Sequence, residues 1–189
     1  MKGNTVKNAL VRFFVLFAVY LAVSLPFKAM QIIPGFTDIR PVALFAPVYA
    51  IFFGPNGCLA FAAGNLVTDI VSDSLRWSSV AGFIANFGGP LLIWLYWTRI
   101  SKTEFSLKTP KSMLIYMAVN SAAVLFMVIV IVPSVALAYA EVNIPLLAVT
   151  ISANNILFMI MPGIPLMILL NDELGFKCVG RNVQKEFTE

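Results

Sequence analysis

The chain contains no histidine and only two cysteines, Cys58 and Cys178, in no metal-like spacing. A disulfide framework and the common zinc sites are therefore unsupported. Charge is scarce too: 12% of the 189 residues are Asp, Glu, Lys or Arg, against 60% that are apolar. A water-soluble domain needs far more polar surface than this. There is no acidic cluster of three or more, no nucleophile beside an activating partner, and nothing resembling a nucleic-acid patch. No inverted or parallel repeat stands out of the kind that builds many secondary transporters. What remains is a succession of long apolar runs, with a mean hydropathy of +0.89.

A membrane span needs roughly 20 apolar residues. The runs predict one all-α membrane domain over 1–189, a compact bundle of six transmembrane helices at about 9–29, 41–53, 58–71, 80–97, 113–132 and 145–170. The second and third runs are short, and Gly54-Pro55-Asn56-Gly57 between them is a strong turn signal. Pro133 weakens the fifth span, and Pro162-Gly163-Ile164-Pro165 bends or interrupts the last. Six spans with short loops leave no room for a soluble nucleotide-binding domain, so any coupling to ATP comes from another chain.

Basic residues beside spans mark the cytoplasmic side. With both termini inside, the inner loops hold Lys2, Lys7, Arg12, Arg99, Lys102, Lys108, Lys111, Lys177, Arg181 and Lys185. The outer loops hold Lys28, Arg40 and Arg76, which completes the thirteen. Reading 41–71 as a single broken span would put the basic loop 99–111 outside, against the rule.

Polar side chains at membrane depth are costly unless partnered, so they are functional candidates. Asn65, Asp69 and Asp73 are spaced to line one helix face near its outer end. Asn86 lies among glycines on the fourth span, where an inter-helix hydrogen bond competes with ligand contact. Asn154 and Asn155 are consecutive, so at most one points squarely into a site. Asn120 reads as packing. Near the outer mouth, Arg40, Trp77, Tyr139, Glu141 and Asn143 offer the hydrogen-bonding and stacking groups that an organic ligand pocket needs. Ala18 and Ala22 form a small-residue pair on the first span, a spacing shared by Ala46/Ala50, Ala81/Ala85, Ala118/Ala122 and Ala136/Ala140.

Three stretches stand in a telling order: Phe36-Thr37-Asp38-Ile39-Arg40-Pro41, Ile51-Phe52-Phe53-Gly54-Pro55-Asn56-Gly57, and Gly64-Asn65-Leu66-Val67-Thr68-Asp69. With Gly82-Phe83-Ile84-Ala85-Asn86-Phe87 and the segment from Asn154-Asn155 to Pro162-Gly163-Ile164-Pro165-Leu166-Met167, this order resembles the substrate-binding S components of energy-coupling factor vitamin transporters. The resemblance implies a multi-pass subunit in a bacterial or archaeal plasma membrane that captures a vitamin-like small molecule at the outer face. A transmembrane coupling subunit and two ATPase subunits would complete the importer, with no cofactor on this chain because ATP is used by the partners. It further implies that Ala18 and Ala22 contact the coupling subunit. The pocket would draw on Asn86, Tyr139, Glu141, Asn143 and Asn154, with Gln31 and Arg40 in a lid, and the small subunit would topple in the bilayer to move its pocket inward.

The missing histidines disfavour a nickel or cobalt substrate. Riboflavin-like, cobalamin-like, pantothenate-like and queuosine-precursor-like compounds all remain open. Two other classes compete: a membrane-embedded enzyme using Asp69 and Asp73 with a divalent metal, and a structural assembly subunit.

Overall fold

The computed structural model describes residues 2–33, 36–101 and 103–180. Helix α1 (Lys2–Ser24) runs into a 3-10 turn (Leu25–Ala29) where Pro26 ends the α geometry. Two short antiparallel strands follow, β1 (Gln31–Ile33) and β2 (Thr37–Asp38), so the polar connector is a small hairpin rather than plain loop. A second 3-10 turn (Pro41–Leu44) leads into α2 (Phe45–Val71), and α3 (Ser78–Leu95) ends in a π turn at Tyr96–Ile100. Helix α4 (Pro110–Ala138) starts at a Thr109–Ser112 capping box with Pro110 in its first turn. Helix α5 (Ile144–Ile160) is capped by Asn143, whose side chain accepts from the Leu146 N–H at 3.0 Å. After a break at Met161–Pro162 come α6 (Gly163–Ile168) and a closing π turn (Leu169–Glu173).

Five of these helical segments are long and apolar enough to cross a membrane: Lys7–Ala29, Pro41–Val71, Ser78–Ile100, Pro110–Ala138 and Ile144–Glu173. Their outer faces are apolar. Phe14, Leu114, Ile129, Leu137 and Val149 are all at least half exposed, a pattern tolerable in lipid and not in water.

The runs expected as separate spans at 41–53 and 58–71 belong to one helical element, folded back on itself. Gly54 has φ 62° and ψ −148°, a conformation that a side chain all but forbids, and Pro55 restarts the helix directly after it. Tyr49 and Phe61 then stand with ring centres 5.9 Å apart, edge to face. A straight helix would separate residues twelve apart by about 18 Å along its axis. A Cβ on Gly57 would strike the Tyr49 carbonyl oxygen, so the reversal is tight enough to need glycine at its turning residue and again three residues on. The expected loop at 54–57 is thus a single residue, with Asn56 and Gly57 already helical. Pro133 likewise fails to end its helix, which continues to Ala138.

The core forms where α1 meets both arms of α2. Tyr20 packs edge to face on Phe61 at 4.9 Å, and the Tyr49 hydroxyl donates to the Leu16 carbonyl at 2.7 Å. At the Gly54 end, the Val179 N–H donates to the Ile51 carbonyl at 2.9 Å and Trp94 Nε1 donates to the Val179 carbonyl at 2.8 Å. The segment after α6 is thereby tucked beneath the α2 turn. The opposite end of the bundle carries the strand hairpin.

Candidate functional site

The hairpin end encloses a cavity of about 120 Å³, lined by Tyr20, Lys28, Arg40, Asn65, Asp69 and Asn86 among others. Its polar groups come from α1 and the 3-10 turn after it, from β2 and Arg40 just beyond it, from the returning arm of α2, and from α3. Their geometry follows from three local arrangements.

The first is a three-way clasp on one guanidinium nitrogen. Arg40 Nη2 donates to Asn65 Oδ1 at 2.7 Å, to Asn86 Oδ1 at 3.2 Å and to the Tyr20 hydroxyl at 3.2 Å. Asn86 is pre-set for this role. Its Nδ2 donates to the Gly82 carbonyl one turn back on α3 at 2.7 Å, which leaves only its oxygen for the arginine. Tyr20 in turn donates to Asn65 Oδ1 at 3.3 Å. Burial works against the Arg40 charge, but Tyr20, Asp38 and Asp69 outweigh it, so the guanidinium titrates above its ordinary value and stays protonated.

The second is an ammonium between two carboxylates. Lys28 Nζ lies 2.7 Å from Asp69 Oδ1 and 3.2 Å from Asp38 Oδ2. The pairing joins the end of α1 to α2 and to the second strand. Beside it, Ser24 and Thr68 share a hydrogen bond of 2.8 Å, both buried. Lys28 and Arg40 against Asp38 and Asp69 make two charges of each sign.

The third is a backbone latch. Asn154, on α5, donates from Nδ2 to the Asp38 carbonyl at 2.6 Å and accepts the Arg40 N–H on Oδ1 at 3.2 Å. Both faces of one amide therefore grip the extended chain that covers the cavity. The rim is closed by stacking: Phe36 meets Tyr139 edge to face at 5.1 Å, and the Arg76 guanidinium lies 4.5 Å from the Phe36 ring centre.

Of the residues expected to form the site, Arg40, Asn65, Asp69, Asn86 and the exposed Gln31 line the cavity. Asn154 contacts the covering segment, whereas Asn155 is buried and donates to its own helix at the Ile151 carbonyl. Tyr139 sits on the rim. Three others lie outside the lining. Trp77 is 85% exposed and outside the lining, Glu141 is exposed, and the Asn143 side chain is spent on capping α5. The expected common face of Asn65, Asp69 and Asp73 also ends early. Helix α2 stops at Val71, and Asp73 turns away in a left-handed conformation with φ 52°. Asp69 is paired instead with Lys28. Ala18 and Ala22 are exposed on the outer face of α1.

Sequence reasoning missed Tyr20, Lys28 and Asp38. Tyr20 lies inside an apolar run and reads as core, while Lys28 and Asp38 read as loop charges. One signal was available: the chain places Lys28, Asp38 and Arg40 within one short connector, and opposite charges at a span end are inexpensive only when paired. The chain matches no family model, no curated protein and no solved structure in comparisons with each.

Proposed function

We propose that this chain is the substrate-capturing membrane subunit of an energy-coupling factor type importer for a vitamin-like organic compound. In this reading the chain crosses a plasma membrane six times, the two arms of α2 counting as separate crossings, with both termini cytoplasmic. The observation that carries it is the covered polar cavity at one end of a bundle whose flanks are apolar. A binding subunit needs such an arrangement: enough polar groups to hold a solute, screened from lipid by helices and from water by a cover.

The charges support the orientation. The three basic residues of the cavity end, Lys28, Arg40 and Arg76, are each engaged by carboxylates, amides or rings. At the opposite end, Lys7, Arg12, Arg99, Lys108, Lys111 and Lys177 are all exposed. Exposed basic residues favour the cytoplasmic side, so in this reading the cavity faces outward. ATP is used by partner subunits, and the exposed Ala18–Ala22 face of α1 is where a coupling subunit would approach.

Native mass spectrometry of the detergent-purified chain, together with affinity purification from its host membrane, tests the proposal. A co-purified small organic molecule and recovery of a coupling subunit with two ATPases are expected. Reproducible purification with neither would sink it.

A further inference from the structure

We propose that the compound held here is a small organic monoanion whose carboxylate pairs with the unused N–H donors of Arg40. This rests on reading the chain as a capture subunit and names the substrate class for that site.

A guanidinium has five N–H donors. All three contacts made by Arg40 in the cavity converge on Nη2. Nη1 and Nε carry the other three donors. They have no hydrogen-bond partner among the described residues, and neither is sealed off by burial. The acceptors around Nη2 are two amide oxygens and a hydroxyl, all neutral. Both carboxylates that line the cavity, Asp38 and Asp69, are already held by Lys28.

One positive charge thus lines the cavity with no anion in contact, and its unused Nη1 and Nε groups can each donate a charge-assisted hydrogen bond to a carboxylate. Arg40 is also fixed in place before any ligand arrives, so pairing needs little reorganisation. A dianion is disfavoured, because its second charge would meet the Asp38–Lys28–Asp69 group, which already carries a net negative charge.

The remaining surface describes the rest of the molecule. Ser24, Thr68, Ser72 and Ser79 contribute hydroxyls, while Tyr20 and Phe36 are the aromatic residues of the lining. That suits a hydroxylated or amide-bearing chain better than a stack of fused rings. The cavity of about 120 Å³ is well below the range of about 300–1,000 Å³ common for drug-sized ligands, so bulky multi-ring compounds would not fit it as it stands.

The test compares matched acid and neutral twins on the full chain in lipid nanodiscs by titration calorimetry. The probes are pantothenate against pantothenol, biotin against biotin amide, and nicotinate against nicotinamide, with thiamine as a cationic probe. At least one acid should bind ~10–100-fold more tightly than its twin, the range expected for a hydrogen-bonded charge pair. Arg40→Gln should bring that pair to near-equal affinity, and Arg40→Lys, which keeps the charge and loses the fixed planar donors, should fall between.

Equal affinity of the twins for the wild-type chain overturns the proposal without recourse to any variant, so misfolding of Arg40→Gln does not rescue it. Binding by none of the acids, tighter binding of thiamine than of every acid, or an acid preference that survives Arg40→Gln overturns it as well. Tight binding of a neutral or cationic compound would leave the capture reading standing, whereas failure to recover a coupling subunit and ATPases would remove that reading instead.

Discussion

Asn154 grips the cover through two hydrogen bonds at once, so its loss should be felt first in the mobility of that segment. Removing buried hydrogen bonds costs about 1–3 kcal/mol in stability of the local structure. Asn154→Ala should therefore speed hydrogen exchange of the Arg40 amide by ~10–100-fold while amides at the centre of α2 are unchanged. Unchanged exchange at Arg40 would show that the side-chain clasp alone holds the cover. Lys28 makes a different demand. Lys28→Met leaves Asp38 and Asp69 on one cavity wall with no cation between them, which should cost about 2–4 kcal/mol and lower the thermal midpoint clearly. Adding Asp38→Asn and Asp69→Asn to that variant should recover most of the loss, and no recovery would mean that the pairing is incidental. Asn65, Asn86 and Asn154 were legible as polar residues at membrane depth, because lipid makes every such group expensive, and Arg40 as a polar group at the outer mouth. Which way each one points was not legible. That depends on Asn86 spending its Nδ2 on Gly82, and on Asn143 spending its oxygen as a cap, both settled by local backbone geometry.

At the scale of elements, the reversal inside α2 decides whether the cavity exists, since it returns Asn65 and Asp69 to the level of Arg40. Gly54→Ala places a Cβ at a positive φ and within 3.3 Å of both Trp94 and Val179, so it should destabilise the chain by about 1–3 kcal/mol. A thermal midpoint in detergent equal to the wild type would remove the strain argument. The sequence reveals a turn here through its Gly-Pro-Asn-Gly run, yet not its brevity. Proline is well accommodated in a first helical turn, so Pro55 starts the returning arm at once instead of prolonging a loop. The opposite lesson comes from Pro133, which lies within α4 because neighbouring groups in a membrane helix can compensate for a missing donor. The strand hairpin was hidden for another reason: strands of three and two residues leave no periodic pattern to read.

For the whole molecule, the two ends differ in kind, and labelling can establish which faces the cell interior. In a variant with Cys58 and Cys178 replaced, Ser74→Cys at the cavity end should react with an impermeant thiol reagent added outside intact cells. Lys108→Cys at the opposite end should react only after permeabilisation, and the reverse pattern would overturn the orientation. Ala18→Trp and Ala22→Trp should leave ligand affinity unchanged while preventing recovery of the coupling subunit; recovery of the complex with both would clear that face of a role. The distribution of basic residues made the two ends legible from sequence, whereas the internal pairing of Lys28, Arg40 and Arg76 required the fold. That pairing has an electrical consequence. If the chain acts in the proposed import, the empty cavity, with two charges of each sign around it, would cross a membrane potential at no net electrical work. Loaded with a monoanion it carries one negative charge, and each 100 mV of inside-negative potential would oppose its inward passage by about 2.3 kcal/mol. Voltage would then act on the loaded step and spare the empty return, which would give ATP used by the proposed partners a definite load to work against.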